Sequence, residues 1–246
     1  MIKNIFKGLK AYTTTFQLLQ KLNLWKYFII PIIISFLIAI ILVFSAYYFS
    51  EPIGNKIASI WNFKWGAETV STLSNFIGGI LILAIGLVVY KHIIMAIAGP
   101  FMSPVSEKIE THLKGEIYKE EGIKAFAKSL SRSIRINLRN LTKELLFVIP
   151  LFMLSLLPVI GIVFSIIMFL VQAYYAGFGN MDYTLERHLK YSESIHFVKQ
   201  NRGIAIGNGI GFMLLLLIPI IGFIIVLPCS VVAATTKTIE ALDNRY

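Results

Sequence analysis

The residues best suited to chemistry lie just before the first long apolar stretch of the chain. Asn23 is a residue type that often caps the start of a helix, and Leu24, Trp25 and Lys26 follow it. If a helix begins here, its first backbone amides point outward and form a positive end that binds anions. Lys26 adds a formal charge beside that end. These four residues are the predicted anion site; the alternative is an interfacial anchor whose lysine reaches the lipid headgroups.

Motifs for catalysis are missing from the sequence. It holds no phosphate-binding Walker loop, no dinucleotide-binding glycine pattern and no His-Glu-x-x-His zinc helix. The single cysteine, Cys229, excludes an intramolecular disulfide and a cysteine-based metal cage. The four histidines fall in polar loops or at the edges of apolar stretches, where we expect a solvated surface: His92, His112, His188 and His196. We therefore expect no catalytic residue, no metal and no cofactor, and a protein that is not an enzyme.

The composition is that of a protein whose solvent is lipid. Of the 246 residues, 57% are hydrophobic and 15% are charged, whereas soluble domains carry roughly 25% charged residues. The charges are clustered and leave four long uncharged stretches, at residues 28–48, 69–90, 145–181 and 203–236. This pattern predicts an all-α integral membrane protein.

The basic residues lie beside these apolar stretches. The net charge is +10, but the aromatic interleaving of a surface that binds single-stranded nucleic acid is missing, so we expect no nucleic-acid partner. The charges are better explained by membrane orientation and by contact with anionic membrane lipids. The first 27 residues carry five lysines and no cleavage-site pattern, so we expect the first apolar segment to be retained.

The first half of the chain predicts a surface helix followed by two membrane spans. Residues 1–22 have apolar side chains at helical spacing with lysines on other faces, which indicates an amphipathic helix on the membrane surface or, alternatively, on the protein's own cytoplasmic part. Residues 24–50 and 70–98 form the predicted transmembrane helices. The uncharged part of the first, residues 28–50, would be about 34 Å long as a helix, enough to cross a ~30 Å hydrocarbon core.

The second span is expected to stop at the sequence Gly99, Pro100 and Phe101, a candidate structural or pore motif. Residues 101–144 carry nine lysines and arginines and six glutamates. The excess of positive charge predicts a basic, helical and cytoplasmic segment.

The two later apolar stretches, residues 145–181 and 203–236, are each long for one crossing and short for two. A matching phrase lies near the middle of each, and the two phrases are 61 residues apart. Their turn-forming residues, which are also candidate pore or structural positions, are Pro158, Gly161, Pro219 and Gly222. Because the resulting halves span only about 18 to 27 Å as helices, we expect two re-entrant helical hairpins.

A rival topology treats each stretch as one long, kinked span. That topology would place the basic loop between the stretches outside the cell, against the positive-inside rule. Re-entrant hairpins carry a requirement of their own: the backbone at their tips must be covered by protein or water. We therefore expect a homo-oligomer.

Several phrases resemble the CysZ-type sulfate permease family. Residues 23–27 with Pro31 are similar in register to the Gly-Leu-Arg-Arg phrase and downstream proline that open the family's first long helix. Further matches in order are Gly99-Pro100-Phe101 with Glu107, Lys108 and Glu110; Arg132, Arg139, Lys143 and Glu144; Met181-Asp182-Tyr183; residues 197–202 and the glycines that follow; Ile218-Pro219; and Pro228 with Ala233, Ala234 and Thr235. Together they cover nearly the whole chain.

This resemblance implies an oligomeric permease of the bacterial inner membrane. Such a protein has two long transmembrane helices and two half-penetrating hairpins, and it admits sulfate or a related oxyanion for cysteine synthesis. The chain departs from the family phrase at Asn23 and Trp25, where the family has glycine and arginine. One cation of two is therefore missing, and a non-transporting membrane scaffold of the same fold is the alternative function.

Overall fold

The computed structural model describes residues 1–59, 67–115, 122–155, 157–218 and 221–244. Within these ranges the chain forms nine α-helices and no strand, so the predicted all-α class is confirmed. The helices are α1 (Ile2–Lys10), α2 (Thr15–Lys21), α3 (Ile29–Ala58), α4 (Ala67–Lys114), α5 (Ile123–Ser155), α6 (Gly161–His188), α7 (Tyr191–Gln200), α8 (Arg202–Leu216) and α9 (Ile221–Asp243). Short 3₁₀ turns occupy Ala11–Thr14 and Trp25–Tyr27.

The chain divides into two compact units. The smaller unit, Ile34–Lys91, contains most of α3 and the first half of α4. These helices are antiparallel: Gly78 packs against the backbone of Ser50 and Gly54 against Asn75, and the hydroxyls of Ser35 and Tyr90 are hydrogen-bonded. The larger unit comprises Met1–Ile33 and His92–Tyr246.

Helix α4 does not stop where the sequence predicted. It continues through Pro100 and Pro104 to Lys114, and the expected interruption at Gly99 and Pro100 is not observed. Proline is tolerated inside a membrane helix when neighbouring helices supply hydrogen-bond donors. Helix α6 packs against this part of α4, where the Tyr183 hydroxyl donates to the carbonyl of Met95 at 2.6 Å and Arg187 donates to the carbonyl of Ser103 at 3.3 Å.

The first of the two late apolar stretches folds back on itself. Helices α5 and α6 run antiparallel, since Ser129 contacts Glu186 and Arg132 contacts Asp182 while Gly161 closes on Ser155. The turn between them has Val159 at φ +69°, and the amide of Ile160 donates to the carbonyl of Pro158. This stretch is a helical hairpin and not one continuous helix.

The second stretch forms a similar pair, α8 and α9. Gly222 lies against the backbone of Leu215 near the turn. Further along the two helices, the side-chain amide of Asn208 donates to the backbone carbonyl of Ser230. Pro219, the expected turn residue, lies outside the described residues. In both stretches the described helices on either side of the predicted turn are therefore antiparallel, and the re-entrant arrangement itself stays a prediction.

Glycines let the helices of the larger unit approach closely. A Cβ atom on Gly209 of α8 would lie 1.7 Å from the carbonyl oxygen of Ala173 in α6, and one on Gly177 would lie 1.8 Å from that of Ala205. On another face of α8, Gly207 packs against the backbone of Ile5 and against Gly8 in α1. Helix α8 is thus held between α6 and the N-terminal segment.

Four described helices are long and apolar enough to cross a membrane: Ile29–Lys56, Ile85–Lys114, Gly161–His188 and Ile224–Asp243. The last two are longer than the predicted hairpin halves, because each helix continues into polar sequence. In α6 the added turns include Asp182 and Arg187, which are buried and paired. An uncharged run therefore underestimates helix length where charges are neutralised inside the bundle.

Replacing Gly209 by Ala tests the close contact between α6 and α8. The added methyl would overlap the Ala173 carbonyl, so we expect a loss of about 1–3 kcal/mol of unfolding free energy. The measurement is thermal unfolding of the detergent-solubilised protein followed by circular dichroism. Gly79→Ala is the matched control, because its Cβ would lie 3.6 Å from the Cβ of Ser50, an ordinary van der Waals distance. Equal melting temperatures for the two variants would contradict the contact.

Candidate functional site

Asn23 terminates α2 and does not cap the next helix. Its φ of +49° is left-handed, its amide donates to the carbonyl of Gln20 at 3.1 Å, and the amide of Leu24 donates to Leu19 at 3.0 Å. This pair of bonds is the Schellman arrangement that closes a helix C-terminus, where glycine or asparagine is preferred. The predicted N-cap role of Asn23 is therefore wrong, and the same geometry explains why asparagine can stand where the family phrase has glycine.

The amides that follow belong to a 3₁₀ turn. Leu24 is buried and its amide is already bonded, so only two of the three predicted amides, those of Trp25 and Lys26, begin the turn Trp25–Tyr27. The first amides of any helical turn have no acceptor within it. The Trp25 indole is half-buried against Phe16, with ring centroids 5.9 Å apart, and the Lys26 side chain is exposed.

A second cation lies beside this turn. The ammonium nitrogens of Lys26 and Lys108 are 5.5 Å and 5.3 Å from the centroid of the Tyr27 ring. Both lysines are exposed, and Lys108 comes from α4 beyond Pro100. Sequence reasoning missed this partner, because the predicted break at Gly99 and Pro100 separated the helical segment that carries Lys108 from the second span.

Two buried ion pairs hold the larger unit together. Arg132 of α5 makes bonds of 3.1 and 3.0 Å to the two carboxylate oxygens of Asp182 in α6. Arg187 of α6 donates to Glu110 of α4 at 2.8 Å, and the His188 ring lies 2.7 Å from the other oxygen of the same carboxylate. Burial lowers the pKa of Arg132, but the bonds to Asp182 outweigh that effect and the net pKa is raised. Arg132 is therefore charged.

Most N–H donors of these two guanidinium groups are already used: all five of Arg187 and four of the five of Arg132 have partners. Arg132 also donates to the carbonyl of Leu189 and the hydroxyl of Ser194, at 2.7 and 2.6 Å. Arg187 donates to the hydroxyl of Ser106 and to two backbone carbonyls as well. A cavity of about 260 Å³ beside Pro100 is lined in part by both arginines, and with nearly all of their donors occupied these side chains stabilise helix packing.

Further polar contacts are buried between the helices. The Nε2 atom of His92 lies 2.8 Å from Glu144, and both side chains are inside the protein. The Tyr12 hydroxyl donates to the carbonyl of Asn208 at 2.7 Å, and the Asn208 side chain accepts a bond from Asn180. Burial raises the pKa of Tyr12 well above its usual range, so it remains a donor. His92 was expected at a solvated surface, and that expectation is wrong.

The glycine and proline motifs lie apart from the turn that carries Lys26. Gly99 packs against the hydroxyl of Ser133, and the Phe101 ring meets that of Phe126 edge to face at 5.9 Å. The Gly99-Pro100-Phe101 motif thus joins α4 to α5. Pro158, Gly161 and Gly222 lie at the hairpin turns. In the part of the chain that the structure describes, no group of three or more His, Cys, Asp or Glu residues could hold a metal ion.

Several proteins with similar sequences are named as sulfate transporters. A Vibrio cholerae serotype O1 protein named "Sulfate transporter CysZ" is 32% identical over 152 residues, which cover 61% of this chain and 60% of the relative. Proteins of the same name from Pseudomonas fluorescens and Pectobacterium atrosepticum are 28% and 27% identical over 177 residues, covering 68% and 70% of this chain and 69% and 64% of their own lengths. The match spans less than two thirds of the Vibrio relative.

The family pattern covers more of the chain than the individual relatives do. The pattern described as "Sulfate transporter CysZ/Etoposide-induced protein 2.4" matches residues 11–226. This range includes the turn with Lys26, the whole of α4 to α8 and the start of α9. With its apolar helices, the chain is a membrane protein of a transport family and not of an enzyme family, and it belongs to the Sulfate transporter CysZ/Etoposide-induced protein 2.4 family.

Proposed function

We propose that this protein is a sulfate permease of the bacterial inner membrane. The observation that carries the proposal is the approach of Lys26 and Lys108 to one aromatic ring beside the helical turn at residues 25–27. Two ammonium groups match the charge of a sulfate dianion. The relatives named as sulfate transporters, and the match to the family over residues 11–226, favour this substrate over other oxyanions.

In the proposed site, sulfate is held by the amides of Trp25 and Lys26 and by the two lysine side chains. Backbone amides at the start of a helical turn bind oxyanions directly. An ammonium is a compact point charge without the two-pronged geometry of a guanidinium. We therefore expect weaker and less directional binding than two arginines would give, which suits a permease, because conduction requires that the ion also leaves. Asn23 and Leu24 shape the turn and do not bind sulfate through side-chain charge.

For the membrane architecture, we retain two long transmembrane helices, at residues 24–50 and 70–98, and two re-entrant hairpins, at residues 145–181 and 203–236. The shortest apolar leg supports this arrangement. Residues 145–155 of α5 are about 17 Å long, well short of a ~30 Å hydrocarbon core. The buried Glu144 precedes that leg. If Glu144 lies near the membrane boundary, the turn at Pro158 ends inside the bilayer.

The distribution of charge supports a cytoplasmic position for the bases of both hairpins. The segment between them carries Arg187, Lys190, Lys199 and Arg202, and residues 101–144 are also rich in basic residues. The exposed apolar side chains of α1, including Ile2 and Phe6, favour a position of residues 1–22 at the same membrane surface. Its packing on α8 is compatible with that position.

A homo-oligomer is part of the proposal. Val159 and Leu217, at the two turns, are 91% and 70% exposed. A turn inside the hydrocarbon core leaves backbone groups that lipid cannot satisfy, so protein or water must cover them. The simplest arrangement is that a second copy of the chain covers the backbone groups at the turns. That copy would also complete a path for the ion.

Lys26→Ala and Lys108→Ala test the proposed site. Each change removes one charge-assisted contact, so we expect sulfate binding to weaken about tenfold in isothermal titration calorimetry. Uptake of radiolabelled sulfate by proteoliposomes should fall in parallel. Lys124→Ala is the matched control, because it removes an exposed lysine from the start of α5, and Lys26→Arg should retain binding.

Two outcomes would contradict parts of this proposal. Wild-type protein that gives no uptake above empty vesicles would reject the permease and favour a membrane scaffold. Uptake that is unchanged in both lysine variants would retain the permease and reject this site. Sulfite, thiosulfate and phosphate in the same assay identify the preferred oxyanion.

Cysteine labelling tests the hairpins in a background where Cys229 is replaced by Ala. A cysteine at Ser192 should react only from the cytoplasmic side, and one at Val159 should not react with an impermeant reagent from outside, because the turn ends within the bilayer. A cysteine at Asn62, which lies outside the described residues, is the external control and also detects chains inserted in the opposite orientation. Outside labelling of Val159 alone would indicate hairpins that cross completely.

A further inference from the structure

A groove on the larger unit combines an apolar wall with a basic end. It has a volume of about 460 Å³ and lies between α5, α6 and the junction of α7 with α8. The apolar wall is formed by Phe147, Ile167, Leu170, Val171 and Ile206. Lys199 and Arg202 also line the groove, together with Tyr174. We call it the α5–α6–α8 groove.

The apolar and the basic residues of the groove are separated along the axis of the first hairpin, which α5 and α6 form. Ile167 and Tyr174 are seven residues apart on α6, which corresponds to about 10 Å along the helix. Ile167 is nearer the turn at Pro158, and Tyr174 is nearer the base of the hairpin. The groove therefore changes from apolar to basic toward the base.

The basic end has the charge that recognises a phosphate group. Lys199 and Arg202 are exposed and neither is in an ion pair within the described residues. A third cation is close, since Arg139 lies 5.3 Å from the centroid of the Phe178 ring, and that ring is 6.2 Å from the ring of Tyr174. No carboxylate is among the groove residues given by the structure.

These features select one class of occupant. A free oxyanion would use the cations but would leave the apolar wall empty. A second copy of this chain, with a net charge of +10, offers poor electrostatic complementarity to a basic end. An anionic phospholipid has a phosphate followed by an acyl chain, which is the same order as the groove, and basic pockets between membrane helices are known to bind such headgroups.

We infer that the α5–α6–α8 groove binds one acyl chain of an anionic phospholipid, with the lipid phosphate held by Lys199 and Arg202. Tyr174 lies at the boundary between the two parts, where an aromatic ring with a polar edge is favourable. The bound lipid would cover Phe147 and Ile167, which are 54% and 40% exposed. This inference does not depend on the transported ion.

Native mass spectrometry of the full chain in detergent tests the inference. Phosphatidylglycerol and phosphatidylcholine with identical acyl chains are added in separate titrations. We expect a one-lipid adduct with phosphatidylglycerol at a concentration at least tenfold lower than with phosphatidylcholine. The variant Lys199→Gln/Arg202→Gln should lose this preference, whereas Lys124→Gln/Lys190→Gln, which removes the same charge elsewhere, should keep it.

Two further arms separate the alternatives. Ile167→Trp fills the apolar wall without changing charge, and we expect it to weaken the adduct with phosphatidylglycerol about tenfold. Glycerol phosphate without acyl chains should not compete. Competition by glycerol phosphate, equal binding of the two lipids, or an unchanged preference in the Lys199/Arg202 variant would each overturn the inference. A protein dimer that replaces the lipid adduct would assign the groove to a second copy.

Discussion

Polar groups inside an apolar bundle must find their partners within the bundle, and this constraint governs the larger unit. The Arg132–Asp182 pair fixes α5 against α6, and the Arg187–Glu110 pair fixes α6 against α4. Breaking such a pair leaves an uncompensated buried charge, which is strongly destabilising. Helix α8 then packs on α6 through close backbone contacts at Gly209 and Gly177. The register of the first hairpin is thus set by charge and that of the second by backbone approach and hydrogen bonds.

The sequence was sufficient for the class of fold and for the two late turns. Uncharged runs located the apolar helices, and the repeated phrase around Pro158 predicted where the chain reverses. Helix ends were less predictable. Proline was expected to end α4 at residue 100, but the helix continues to Lys114, and α6 side chains donate to the carbonyls of Met95 and Ser103 near that proline. Such donors are more than 80 residues away in sequence, so no local pattern reveals them.

The segment from Asn23 to Lys26 was proposed as an anion site from its residue types, and this stays a prediction. The role of Asn23 was assigned to the wrong helix, because a cap residue fits either end of a short turn. Lys108 could not be found from spacing, since its approach to Tyr27 depends on the unbroken path of α4. The buried Asn180 and Asn208 were also missed, because uncharged polar side chains do not interrupt an apolar run.

The packing of α1 on α8 has a mechanical consequence. Gly8 and Gly207 meet backbone to backbone, and Tyr12 is hydrogen-bonded to Asn208, so the first helix cannot slide along the eighth without steric overlap. The 3₁₀ turn at Ala11–Thr14 joins α1 to α2, and α2 ends at the turn that precedes Trp25. A displacement of α8 would therefore shift α1 with it, and through α2 it would reach the turn that precedes Trp25.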